Sequence, residues 1–437
     1  MSRETVITGL GAVTGLGVGS GALWEGLCAG RTAIGPIESF DASGFPCRLA
    51  SEVKGFMARD FVPKSYRKAV KVMARDIELA VGAAKAAVED AGIATKGTLN
   101  GDGEEGGGEP TFRAHRLGCQ IGAGFIACDA PELAQAQASS RREDGSFSLE
   151  TWGQSGMGNL SPLWMLKYLP NMLACHVTII HDAKGPSNTI TCCEASGLLS
   201  IGESRRVIER NDSDACFSGG AESKLNPLGF LRMHYAGRLA TTGDATDAST
   251  LVRPFDDRSA GSIIGEGAGI VLIESADSAA RRGARVHARV AGFGAAQSLD
   301  EDDPGTGIAL AVEAALADAG MDASEIDLIV PHGSGSPACD ADEAAGLERV
   351  FGGRLSDIET ATLTPNVGDT LAGAGGLAVC VAATALREQT VPARLAGGGM
   401  GRVRAEAREA GAARLRAALV CTNALGGQNA ALVLRAP

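Results

Sequence analysis

The segment Ala86–Ile93 (Ala-Ala-Val-Glu-Asp-Ala-Gly-Ile) returns about half a chain later as Ala314–Met321 (Ala-Ala-Leu-Ala-Asp-Ala-Gly-Met). Each copy ends an alanine-rich helical stretch at a glycine, the residue that best tolerates the left-handed conformation in which helices stop. Each then leads to a short apolar run, around Leu117 to Ile121 in the first copy and Ile326-Asp327-Leu328-Ile329-Val330 in the second. Two helix–loop–strand units so spaced point to a duplicated α/β domain, with helices covering sheets. Strand-like and helix-like stretches alternate along the rest of the chain, as that class requires.

One junction in the first half carries the chemistry. Ser187-Asn188-Thr189-Ile190-Thr191 is rich in β-branched residues and reads as a strand. From Leu198 through Ile201 and Arg205 towards Ile208 the apolar positions recur with helical spacing. Between them lie Cys192-Cys193-Glu194-Ala195-Ser196-Gly197. A side chain at such an elbow faces a helix N-terminus, whose partial positive charge favours an anion. A cysteine there would become a thiolate nucleophile; the residue present is Glu194, a far poorer nucleophile. Moving the role to Cys192 or Cys193 turns the side chain away from the helix axis, so both are expected as buried thiols beside a sheet.

A formal charge of −12 over 437 residues argues against nucleic acid or an anionic membrane as the main partner. Eleven cysteines without paired spacing read as reduced thiols, and no apolar run approaches the ~20 residues needed to span a bilayer. With the first strand, Thr5-Val6-Ile7-Thr8-Gly9, starting almost at Met1, no targeting segment is expected and the location is read as cytoplasmic. Thr95 to Pro110, extending to 112, is acidic and glycine-rich and is expected as a flexible surface insertion without a core. Ser139 to Gly145 is expected to turn between helices, and a basic stretch from Arg402 to Arg416 precedes a last strand pair, Ala417–Cys421 and Ala430–Leu434. Gly9-Leu10-Gly11 through Gly15 also admits a dinucleotide-loop reading, but no acidic residue is placed as a clear ribose ligand. No cofactor and no metal site is expected.

Several segments in order resemble the β-ketoacyl synthase family along nearly the whole chain. They are Val6–Thr14; Arg253-Pro254-Phe255-Asp256 with Gly265-Glu266-Gly267-Ala268-Gly269; His332-Gly333-Ser334-Gly335-Ser336 with Asp340 and Glu343; Gly368-Asp369 with Gly373-Ala374-Gly375-Gly376; and Gly426-Gly427-Gln428-Asn429. The resemblance implies a thiolase-like fold of two duplicated αβαβα-type halves in a five-layer core, usually dimeric. The expected halves are residues 1–255 and 256–437.

The resemblance also fixes what a condensing enzyme would need: a cysteine nucleophile, two histidines, a lysine and an oxyanion hole. Here the cysteine position is Glu194, the first histidine is kept as His332, the lysine position is Thr364 and the second histidine position is Asp369. An ionised aspartate accepts hydrogen bonds but cannot donate one to an enolate, and facing Glu194 it is expected to add repulsion. The loop that carries a gating phenylalanine in the family is shorter by one residue and reads Asn423-Ala424-Leu425. Phe125 matches a position that lines the family's acyl pocket, where a large ring would shorten or plug it. Asn159 to Ile180 is expected either as interface and tunnel wall or as an ordinary core helix.

This pattern resembles the chain length factor, the non-condensing subunit that pairs with an active ketosynthase in type II polyketide synthases and helps shape the acyl tunnel. The implied partners are an active ketosynthase subunit, as a heterodimer, and an acyl carrier protein. The alternatives are a ketosynthase-like enzyme of altered chemistry, such as a malonyl-carrier-protein decarboxylase, or an ordinary synthase. The known decarboxylases keep both histidines, which Asp369 does not.

Overall fold

Strand β1 (Thr5–Thr14) has all ten residues buried, as a strand covered on both faces must. It lies at the middle of the main sheet in a computed structural model that describes residues 3–99, 108–248, 251–298 and 303–437. The other strands of that path are β2 (Leu117–Ala123), β3 (Ser187–Ile190), β4 (Ala215–Glu222), β5 (Gly267–Ser275), β6 (Ala288–Gln297), β7 (Leu328–Val330), β8 (Glu359–Thr360), β9 (Ala417–Asn423) and β10 (Gln428–Arg435). The helices used below are α1 (Arg75–Ala91), α2 (Trp164–Tyr168), α3 (Met172–His181), α4 (Ser196–Glu209), α5 (Pro227–Tyr235), α6 (Thr306–Ala319), α7 (Pro337–Phe351) and α8 (Ala374–Glu388).

The strand order is β8-β7-β9-β10-β6-β1-β5-β4-β2-β3. Outward from the central antiparallel β1–β6 pair, each side shows the same succession: two antiparallel pairings, then two parallel ones. The echoed segments occupy equivalent places, α1 between β1 and β2 and α6 between β6 and β7, and both helices stop at a left-handed glycine, Gly92 and Gly320. A chain division after residue 255 is a proposal that strand pairing cuts across, since β5 lies beyond it and is hydrogen bonded to β1 and β4.

Three apolar clusters build the layers. One joins α4 and α8 to the inner faces of both halves of the sheet, from Ile7 and Leu10 to Val381 and Leu432. The second packs α1 and α3 on one outer face, and the third packs α6 and α7 on the other. The stretch Leu371–Glu388 is apolar enough to resemble a membrane span, but 83% of it is buried inside this central layer.

Gly9 and Gly11 lie within β1, where a Cβ would collide with the carbonyls of Ala87 and Ala83 on α1. They permit close helix–strand packing and form no phosphate loop, which removes the dinucleotide reading. Residues 100–107 of the acidic insertion lie outside the described residues. Its flanks are not coreless: Lys96–Leu99 is a short helix, and Thr95 and Phe112 are buried. Within the stretch Asn159 to Ile180, α3 is a core helix with Leu173, Val177 and Ile180 buried, whereas around α2 Leu163, Met165 and Leu166 stand exposed.

Candidate functional site

The elbow forms as its residue types dictate. After β3 the chain makes one tight turn, Cys193–Ala195, before α4 begins at Ser196. The Ser196 hydroxyl accepts from the Cys192 N–H at 2.8 Å and donates to the Cys193 carbonyl at 2.6 Å, fixing the turn. Cys193 takes the strained left-handed conformation, φ 48°, and is exposed, while Cys192 is half-buried. The expectation of two buried thiols therefore fails: the turn swings Cys193 outward and sends Glu194 into the interior.

There Glu194 meets a residue that no sequence motif marked. Arg238 follows α5 through Gly237, whose positive φ turns the chain, and the Arg238 N–H bonds the Met233 carbonyl at 3.1 Å. Its side chain is only 4% exposed. One terminal nitrogen lies 2.8 Å from Glu194 Oε1 and 3.2 Å from Asp369 Oδ2. The repulsion expected between the two carboxylates is thus absorbed by a guanidinium placed between them. The only signal that could have revealed Arg238 was charge balance, since two buried carboxylates require a buried cation.

His332 completes the array. Its backbone N–H and that of Gly333 donate to the two oxygens of Glu343, at 2.8 and 2.9 Å. Its Nδ1 donates to the Asn423 carbonyl at 3.0 Å, which leaves Nε2 facing Asp369 Oδ1 at 3.4 Å, an ion-pair distance rather than a good hydrogen bond. Asp369 also accepts from the Leu371 N–H at 3.0 Å. Thr364, expected at the lysine position, is buried and donates weakly to the His332 carbonyl at 3.4 Å.

The electrostatics follow from the geometry. Burial opposes the His332 charge, but Asp369 and Glu194 outweigh it and raise the imidazole to about 9. Burial likewise pushes Asp369 up, yet His332 and Arg238 hold it well below the usual carboxylate range. For Glu194 burial wins over Arg238, and its pKa lies above the ordinary value. Arg238 is kept charged by Glu194 and Asp369 against its own desolvation. Glu343, behind His332, is raised to about 7 by burial. With Glu194 and Asp369 ionised, the array carries two negative and two positive charges and sums to zero.

The raised His332 pKa predicts a pH dependence. An imidazole near 9 when folded and about 6.5 when unfolded contributes stability that is fully present below pH 6.5 and lost as pH rises through 9. The shift corresponds to roughly 3 kcal/mol. We expect the unfolding midpoint in urea to fall between pH 6.5 and 9.5, and this slope to flatten in His332→Gln. Parallel profiles for the two proteins would show that His332 is not charged in the fold.

Space decides what such a centre can accept. The cavity beside His332, Thr364 and Asp369 holds about 20 Å³, room for about one water. A cleft of about 710 Å³ opens from outside, with Arg238, Cys339, Asn423, Ala424 and Leu425 on its wall. The structure therefore gathers Glu194, His332, Thr364 and Asp369 at one centre and sets Asn423–Leu425 at its entrance. Phe125 lies apart, 65% exposed, with the Arg232 guanidinium 4.8 Å above its ring. Chemically the centre offers a buried carboxylate at the elbow and a second one facing an imidazole, with one guanidinium between the two.

Known proteins resemble this chain along most of its length. The model described as "Beta-ketoacyl synthase, N-terminal domain" matches residues 2–279, and "Beta-ketoacyl synthase, C-terminal domain" matches residues 286–397. A 3-oxoacyl-[acyl-carrier-protein] synthase 2 from Coxiella burnetii is 31% identical, covering 89% of this chain and 87% of that protein. Among solved structures, the ishigamide ketosynthase/chain length factor aligns with a TM-score of 0.81 at 26% identity over the full length of both chains. A β-ketoacyl synthase from Burkholderia phymatum aligns with a TM-score of 0.82, also at 26% identity over both full lengths. The architecture of sheet and helices is thus the thiolase-like ketosynthase fold.

Proposed function

The chain belongs to the β-ketoacyl synthase family, and from that premise we propose that it is a non-condensing member, a chain-length-factor-like subunit acting beside an active ketosynthase. The observation that carries this reading is the Glu194–Arg238–Asp369 array: the nucleophile and enolate positions are both carboxylates, each tied to one buried guanidinium. The name of the curated relatives would favour condensation by the chain itself. Against it stands the absence of a thiol or neutral donor at those positions, together with a cavity too small for a malonyl group.

A ketosynthase partner supplies what this chain lacks, and an acyl carrier protein delivers the chain being extended. The exposed apolar residues Phe125, Leu163, Met165 and Leu166 are the surface we assign to that partner, with Phe125 as a wall of the shared tunnel rather than of a cavity within this chain. The test is co-expression with a ketosynthase bearing an intact cysteine, two histidines and a lysine. We expect the two to co-elute at the mass of a heterodimer, with product made only by the pair. A stable homodimer that never binds the ketosynthase, or condensation by this chain alone, would overturn the reading.

A further inference from the structure

A second set of buried charges lies behind the array. Glu222 ends β4, and Lys224 follows it two residues later. Their side chains are 4% and 7% exposed and form an ion pair. Asp76, in the first turn of α1, is buried too, and its Oδ1 accepts from the Ser223 N–H at 3.1 Å. None of the three lies in the segments that carry the family resemblance. A buried ion pair is weak evidence for stability, because desolvation offsets much of its attraction. Its remaining hydrogen bonds show what it holds.

The second oxygen of Glu222 grips the turn that follows Asp369. Oε1 pairs with Lys224, while Oε2 accepts from the Ala372 N–H at 3.0 Å. The preceding N–H, that of Leu371, donates to Asp369 Oδ1 at 3.0 Å. Asp369 Oδ1 is also the atom that faces His332 Nε2. Two consecutive amides thus tie one carboxylate of the array to one carboxylate of the second set. The turn is confined on its other sides as well. A Cβ on Gly197, at the elbow, or on Gly220, in β4, would collide with the Ala372 carbonyl. Leu371 takes a left-handed φ of 53°, a conformation that persists only where the surroundings over-determine it. Glu222 itself has no slack, since a Cβ on Gly124 would strike its carboxylate.

We propose that Glu222, held by Lys224, is a positioning residue for the array: through the Ala372 and Leu371 amides it fixes Asp369 opposite the His332 imidazole. An ionised acceptor holds an N–H more strongly than a neutral one, and Lys224 is the cation that lets Glu222 stay ionised in a dry interior. Glu222 has no hydrogen bond to Glu194, Arg238 or His332 among the described residues, so it acts through the turn. This role is the same whether or not the chain pairs with a ketosynthase.

The test reads the His332 imidazole by NMR titration of the full-length protein labelled at histidine, with His332→Gln identifying its signal among the six histidines. Gly124→Ala changes no charge and lies outside the array, but its methyl group displaces the Glu222 carboxylate. The His332 midpoint, about 9 in wild type, is expected to fall by about one pH unit or more in that variant, because Asp369 no longer stands opposite the ring. Lys224→Met with Glu222→Gln removes both charges yet keeps an oxygen for the Ala372 N–H, and its midpoint should stay within about 0.3 unit of wild type. Lys224→Met with Glu222→Leu loses that oxygen and should repeat the fall; it decides the matter if Gly124→Ala does not fold. An unchanged or raised midpoint in the variants that displace or remove the acceptor overturns the proposal. So does an equal fall in Lys224→Met with Glu222→Gln, which would mark a charge effect rather than positioning.

Discussion

Arg238→Met is expected to destabilise the protein by about 3–5 kcal/mol, the cost of leaving buried charges without their partner. Methionine fills similar space, so the loss is electrostatic rather than a cavity effect. Two carboxylates with side chains 3% and 2% exposed would then share only His332, which touches Asp369 alone. Glu194, already raised by burial, would relieve the strain by taking a proton. The deficit against wild type should therefore shrink as pH falls, because a carboxyl whose folded pKa is raised destabilises mainly when it is forced to ionise. Adding Glu194→Gln and Asp369→Asn to Arg238→Met should recover most of the loss. Equilibrium unfolding of the three proteins at pH 8 and pH 5.5 measures both effects. An Arg238→Met protein as stable as wild type at pH 8 would mean that the array is not a structural element.

Restoring the nucleophile alone should not restore condensation. In Glu194→Cys the new thiol would stand at the elbow beside Arg238, a setting that lowers a thiol pKa. Alkylation by iodoacetamide at that position should be fast. Yet Asp369 would still meet the extender carboxylate with negative charge, and the neighbouring cavity would still hold about one water. A positioned acid or base contributes typically 10²–10⁴-fold. We therefore expect Glu194→Cys with Asp369→His and Arg238→Ala to release carbon dioxide from malonyl-carrier protein roughly 10²–10⁴-fold faster than Glu194→Cys alone. Condensation by the single variant at a rate equal to that of the triple variant would refute the role given to Asp369 and Arg238.

Much of the architecture was legible because it is written in local patterns. The two Ala-Gly helix ends mark α1 and α6, and the β-branched run before Glu194 marks β3; their place in the fold follows from duplication. Glu194, His332 and Asp369 could be singled out because motifs hold them at fixed offsets, and the structure gathers them at one centre. Arg238 was not, because its partners lie 44 and 131 residues away and nothing local distinguishes it from a surface arginine. The exposure of Cys193 was hidden for a related reason: it depends on a left-handed φ that β-branched and apolar periodicity does not encode. Phe125 shows the limit of a position match, which gives a place in the chain but not the second surface that would cover the ring.

The balanced array also shapes which sequences lie within reach of this one. Its charges cancel as a set, so single reversals leave a remainder in a dry interior: a thiol at 194 leaves one excess positive charge unless it ionises beside Arg238, a histidine at 369 removes a negative charge and the partner that keeps His332 protonated, and an uncharged residue at 238 leaves one excess negative. One-step paths back to a catalytic centre thus cross a less stable neighbour, and concerted change avoids it. On the proposed non-condensing reading, the ion network behaves as a ratchet, holding the lineage there even without selection against catalysis itself.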